Sequence, residues 1–210
     1  MAREHAPIRL DIWSDDEFRD LTPAAQHLYF VMLTSPSLSY AGVVDWRPGR
    51  IGALAKSWGK AGVEAAAREL AEKLFIIVDE ETEEAMIRSF VKHDGLMKNP
   101  KIAVSMALAF ASIASKALRS VFVFELAKLK LNDPELKGWG QPKVASILTR
   151  DSANPVDYPS GYPLGLPLNP ENQGEDLGER LGEGSLPAPT PAPTPSTSKE
   201  VDEGSAPANR

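Results

Sequence analysis

From residue 14 to residue 35 the apolar positions recur with a helical period. Ser14 stands as an N-cap, preceded by an extended lead-in from Leu10 and followed by Asp15, Asp16 and Glu17, whose charge suits a helix start. This short helix runs to about Leu21. Thr22-Pro23 opens a second, with Thr as cap and Pro at the first helical position. Ala24, Leu28, Val31, Met32 and Ser35 then follow at helical spacing, with Tyr29 and Phe30 widening the apolar face, until Pro36 stops the run. Val43-Val44-Asp45-Trp46 reads as a short strand. Pro48 starts another helix, with Ile51, Leu54, Ala55 and Trp58 on one stripe, and Gly59 ends it. Beyond the Gly59-Lys60 turn, Val63, Ala66, Ala67, Leu70 and Leu74 mark the next helix. Phe75 to Val78 and Ala85 to Val91 are β-rich runs joined by the acidic turn Asp79 to Glu84, the pattern of a hairpin.

Two helices joined by a Gly-containing turn form a helix-turn-helix, and a hairpin directly after the second is a wing. The predicted fold class is therefore α+β: a winged helix-turn-helix over residues 8–95. A helical extension over 96–150 follows. There Asn99-Pro100 caps a helix bearing Ile102, Met106, Ala109, Phe110 and Ile113, and Ser115 caps one bearing Leu118, Val121, Phe122, Leu126 and Leu129. A weaker segment covers Val144 to Leu148. Periodicity stops near Asn154; 11 of the 18 prolines lie from there on, ending in an alternating Pro run at Pro187 to Pro195. Such a segment buries too little apolar surface to offset its ordering entropy, so 151–210 is predicted to be a disordered acidic tail.

Composition narrows the picture. With no cysteine, disulfides, thiolate metal sites and a cysteine nucleophile are excluded. The opening residues lack a secretory pattern, and the longest apolar stretch, Ile102 to Ala114, is shorter than the roughly 18 residues a spanning helix needs. A soluble, cytoplasmic protein without membrane contact is expected. The net charge of −6 conceals a strong asymmetry. Residues 11–87 carry 7 basic and 14 acidic side chains, whereas 88–150 carry 11 basic and 4 acidic. An anionic partner is expected to meet the middle third.

The run Asp11-Ile12-Trp13-Ser14-Asp15-Asp16-Glu17-Phe18, with Leu21-Thr22-Pro23, Leu28-Tyr29, Thr34-Ser35-Pro36 and Gly42-Val43, resembles the opening of phage-type replication initiators. These resemble the N-terminal winged-helix module of DnaD-like replisome organisers. Phe90 to Pro100, reading Phe-Val-Lys-His-Asp-Gly-Leu-Met-Lys-Asn-Pro, is similar to a subset of helix-turn-helix proteins from phages of actinobacteria. The resemblance spans about residues 8–140. It implies a winged helix, origin or operator binding to double-stranded DNA, and contact with a replicative helicase or its loader.

In a helix-turn-helix the second helix enters the major groove, which exposes Lys60, Glu64, Arg68 and Lys73 here. Arg68 suits guanine and Lys60 a phosphate. Yet Glu64–Arg68, Arg68–Glu72 and Glu69–Lys73 all stand at i,i+4, as on a plain solvated face, so both readings stand. Further phosphate contacts are expected from Arg47, Arg50 and Lys56, and after the wing from Lys92, Lys98 and Lys101. The wing itself carries Glu80, Glu81, Glu83 and Glu84, which oppose DNA and favour a basic protein surface or a charge-protected hairpin tip.

No catalytic or metal constellation is expected, nor any cofactor: His5, His27 and His93 share no ligand spacing, and no Gly-rich phosphate loop occurs. His27 is expected to be half-buried. The four tryptophans, Trp13, Trp46, Trp58 and Trp139, are expected to anchor a core or interface. Two function classes follow. The first is a DNA-binding protein of replication initiation, with transcriptional regulation sharing its features. The second is a replisome adaptor that docks protein, with the apolar helices of 99–131 as a homo-oligomer or partner interface.

Overall fold

The computed structural model describes Ala6 and residues 8–157, so the predicted disordered tail lies outside the described residues from 158 on. Its first residues rest on the folded part: Ala153 N donates to Ser120 O at 3.1 Å, and Pro155 is buried. The chain is α+β. In order come α1 (Asp16–Arg19), α2 (Pro23–Leu33), β1 (Val43–Asp45), α3 (Pro48–Gly52) and α4 (Gly59–Glu72). These are followed by β2 (Ile76–Asp79), β3 (Glu84–Ile87), α5 (Phe90–His93), α6 (Pro100–Ala111), α7 (Lys116–Asn132) and α8 (Pro142–Ile147). Single 3-10 turns cover Leu10–Ser14, Leu96–Lys98, Lys137–Gly140 and Pro155–Asp157.

The three strands form one antiparallel sheet in the order β1-β3-β2, with Val44 opposite Ala85 and Val78 opposite the same residue on the other side. Ile76, Ile77 and Val78 are all buried, as are Ala85, Met86 and Ile87. Both α4 and α7 pack on β2, which explains why these strands are unbroken apolar runs rather than alternating ones. The two halves of the fold share one core. Phe110 and Phe122 pack at 5.4 Å in the α6–α7 pair, whose buried apolar faces belong to the same cluster as Phe18 and Leu70.

Capping chemistry sets several helix starts as expected. Thr22 Oγ1 accepts from Ala25 N at 3.3 Å, Asn99 Oδ1 from Lys101 N at 2.9 Å, and Ser115 Oγ from Leu118 N at 3.1 Å. Elsewhere the structure corrects the sequence reading. The extended lead-in is a 3-10 turn, and Asp15 rather than Ser14 caps α1, accepting from Phe18 N at 3.2 Å. On α2, Leu28, Tyr29 and Met32 of the expected face are buried, but Ala25 joins them in place of Ala24, which is exposed, and Val31, which is half-buried.

The second hairpin strand ends at Ile87 instead of Val91. The final ladder bonds run from Ile87 N to Gly42 O (2.9 Å) and Arg88 N to Phe75 O (3.1 Å), and beyond them no strand is left to pair. Phe90 and Val91 turn into α5 instead. Gly42, at φ +75°, lets Phe90 come close: a Cβ there would stand 2.7 Å from the Phe90 Cβ.

Candidate nucleic-acid interface

The pair that sequence reads as a helix-turn-helix is α3 and α4, but α3 is only five residues long. The predicted continuation to Trp58 breaks down because the chain reverses there, with Ser57 at φ +64° and Gly59 at φ +63°. Leu54, expected on the buried stripe, is 68% exposed in this turn. The reversal brings the two helices into backbone contact: a Cβ on Gly52 would meet the carbonyl carbon and oxygen of Gly59, each at 2.6 Å. Only glycine at 52 permits this crossing. Gly52→Ala is therefore expected to force the helices apart and cost about 1–3 kcal/mol, with a lowered thermal midpoint as the readout. An unchanged midpoint would show that the crossing yields freely.

The turn is held from the other side by Trp58. Its indole packs at 4.8 Å against His27 of α2 and lies over Gly62, where a Cβ would approach Trp58 Cδ1 at 2.9 Å. His27 is accordingly an exposed stacking partner, not the half-buried residue expected. Glu69 braces α4 against α2, its carboxylate accepting from Thr22 N at 2.7 Å and Thr22 Oγ1 at 2.6 Å. This assigns Glu69 to a tertiary brace, where the sequence paired it with Lys73 on a solvated face. Lys60 and Glu64 do pair at 3.5 Å along the helix.

These braces leave the first turns of α4 open. Lys60, Ala61 and Ala65 are exposed, with Arg68 half-buried one turn further on. Arg50 near the end of α3 and Lys56 in the turn are exposed beside the Gly52–Gly59 crossing. Arg47, also exposed, stands before α3 and pairs with Glu83 of the hairpin tip at 3.5 Å. The structure thus gathers Arg50, Lys56 and Lys60 around the start of α4, with Arg47 tied toward the hairpin. The lysines that follow the hairpin sit elsewhere. Lys92 lines a cleft with Lys73, the residue that ends α4. Thirteen residues at 1.5 Å rise separate Lys60 from Lys73, about 20 Å. Lys98 and Lys101 belong to the 3-10 turn and α6, whose main packing is with one another, the Lys137–Gly140 turn and α8.

Two of the four carboxylates of the β2–β3 hairpin turn have structural work. Glu84 accepts from Ala114 N at 3.0 Å and Ser115 N at 2.8 Å, so the hairpin clasps the start of α7, and Glu83 faces Arg47. Glu80 and Glu81 remain exposed at the tip. Sequence reasoning also missed an internal ion pair: Arg88 Nη1 lies 3.1 Å from Glu125 Oε1, a carboxylate 7% exposed, while Arg88 Nε donates to Leu74 O at 2.6 Å. A lone Glu among the apolar positions of α7 was the available signal. Of the tryptophans, Trp46 is buried and Trp58 and Trp139 are partly so, whereas Trp13 is 54% exposed although its ring packs on Phe18 at 5.8 Å.

No match to a known protein was found. Neither a family model, nor a curated protein, nor a solved structure is significantly similar to this chain. The site is accordingly read from its own geometry. Among the described residues no group of three or more His, Asp or Glu is placed to hold a metal ion, and no helix is long and apolar enough to cross a membrane.

Proposed function

We propose that the chain is a winged helix-turn-helix protein that binds double-stranded DNA through the start of α4. The observation that carries this reading is the open first turn of α4, flanked by Arg50, Lys56 and Lys60 and lined by the small side chains Ala61 and Ala65. A slim helix face with basic flanks suits the major groove, where alanine methyls meet thymine methyls and lysines meet phosphates. The helix–strand–helix–helix–hairpin order and the β1-β3-β2 sheet agree with a winged helix. The resemblance to phage replication initiators adds the setting: origin or operator recognition, with a replicative helicase or loader as protein partner.

Fluorescence anisotropy of the full chain on a labelled duplex tests it. With three or four phosphates neutralised, affinity is expected to fall roughly 40- to 150-fold between 50 and 200 mM salt. Lys60→Ala and Lys56→Ala are each expected to weaken binding on all sequences and reduce the salt slope by about one. Arg68→Ala is expected to relax base preference at one position, by about 1–3 kcal/mol. Absence of binding at low salt would overturn the proposal. The second reading, a protein-docking module, would then stand on the exposed Glu80 and Glu81 at the hairpin tip. The apolar helices of 99–131 bury most of their apolar face in the common core, with Leu108 and Leu131 the large apolar side chains they expose.

A further inference from the structure

Two cavities adjoin between the N-terminal 3-10 turn, α2, α5 and the C-terminal end of α4. One, of about 220 Å³, has mainly apolar walls of Ile12, Tyr29, Leu33 and Phe90 and is edged by Arg9, Asp11 and Asp94. The other, of about 200 Å³, is lined by Lys73, Lys92 and Lys128 together with the Arg88–Glu125 pair. Asp15, Phe75, Ser89 and His93 border both, so the two make one trough with an apolar end and a cationic end.

The three lysines come from separate parts of the chain: the end of α4, α5 and α7. Among the described residues none of them forms an ion pair. The carboxylates that line the trough are Asp15, Glu17 and Glu125 at this end and Asp11 and Asp94 at the other. Glu125 is held by Arg88 and Asp11 by Arg9, and Asp15 accepts from the backbone of Phe18, which leaves Glu17 on the exposed rim of the cationic end. Partial burial, then Lys92 and Arg9, lower the His93 pKa from the ordinary 6.5 and so disfavour its charged form, with Asp11 and Asp15 opposing. Ammonium groups lining one cavity repel one another, and an anion among them relieves that repulsion. The apolar end has the complementary need. Its volume exceeds the roughly 150 Å³ cavity that takes up a benzene-sized ring.

We infer that this trough is a binding site for a small amphiphilic anion. The ligand has a body the size of one ring or a short acyl chain seated among Ile12, Tyr29, Leu33 and Phe90. Its phosphate or carboxylate head meets Lys73, Lys92 and Lys128. The site does not depend on the DNA-binding reading, since it lies at the opposite end of α4 from Lys60.

Phenyl phosphate serves as probe, titrated into the full chain and followed by amide chemical shifts. Saturable shifts are expected at residues of both ends, including Phe75, Ser89 and His93. Inorganic phosphate (head alone) and benzyl alcohol (body alone) are each expected to bind at least about tenfold more weakly, because each forgoes one half of the contacts. Benzoate, which keeps the body and an anionic head, is expected to bind within about tenfold of phenyl phosphate and so reports how far phosphate is preferred. The double variant Lys92→Ala/Lys128→Ala changes exposed residues and is expected to keep the fold. It should weaken phenyl phosphate about tenfold or more and leave benzyl alcohol unchanged. Three outcomes each overturn the inference: no saturable shift by about 20 mM probe, inorganic phosphate binding as tightly as phenyl phosphate, or an unaltered affinity in the double variant. Loss of duplex affinity in that variant without phenyl phosphate binding would instead assign these lysines to nucleic acid, and likewise overturn it.

Discussion

Phe18→Ala is expected to destabilise the chain by about 3–5 kcal/mol, the range for removing a buried aromatic ring. Phe18 is fully buried at the point where α1, α2 and the start of β2 meet. Its ring lies 5.5 Å from Tyr29, 5.6 Å from Phe30, 5.8 Å from Trp13 and 5.9 Å from Phe75, in edge-to-face arrangements. Each such pair adds roughly 0.5–1.5 kcal/mol to the area it buries. Truncation empties the centre of the cluster, and four rings cannot all move in to fill it. For a folded region of about 150 residues the thermal midpoint is expected to drop by about 8–15 °C. Thermal unfolding followed by circular dichroism measures this. A drop below about 3 °C would show that the surrounding rings close the gap. Phe18→Leu, which keeps much of the volume, is expected to cost clearly less.

Arg88→Ala is the second large effect, at about 2–4 kcal/mol. The guanidinium performs two tasks at once. It neutralises Glu125, buried in α7, and it donates to the carbonyl of Leu74, a residue held at φ +57° where α4 turns into β2. Its removal leaves a buried carboxylate without a counter-charge and a turn carbonyl without a donor. Arg88 is itself 28% exposed, so water reaches part of the gap and keeps the cost below that of a sealed pair. The double variant Arg88→Met/Glu125→Met should recover much of the loss, because removing both charges leaves neither orphaned. Chemical denaturation of Arg88→Met, Glu125→Met and the double variant gives the coupling. Additive single effects would show that the pair contributes nothing. Arg88→Lys should not rescue fully, since an ammonium cannot present the fork that reaches both partners.

These two predictions differ in how visible their causes are along the chain. The aromatic cluster draws on Trp13, Phe18, Tyr29 and Phe30, near neighbours in sequence, and only Phe75 comes from afar. The Arg88–Glu125 contact spans 37 residues, the Glu69–Thr22 brace 47, and the Glu84 clasp on Ser115 31. Apart from the lone Glu125 among the apolar positions of α7, none has a local signature, because an exposed charge and a charge that will meet a partner across the fold look alike in sequence. The same holds for the trough, whose lysines are strung from residue 73 to residue 128.

By itself the sequence determined the features that depend on a few consecutive residues. These are the caps at Thr22, Asn99 and Ser115, the apolar stripe Val63, Ala66, Ala67 and Leu70 of α4, and the hairpin around its acidic turn. Side chain–backbone bonds and 3.6-residue burial act within one or two turns, so their cause and effect lie together in the chain. Only the tertiary structure decided where β3 ends, because pairing stops where β1 and β2 stop, not where β-rich residues do. It alone decided how short α3 is, since backbone contact between Gly52 and Gly59 requires the chain to reverse before Trp58. It also separated Lys92 from Lys60, two lysines equally plausible as phosphate contacts in sequence, by the length of α4. Charge has no periodicity to betray its destination, and proximity across a fold is set by packing alone.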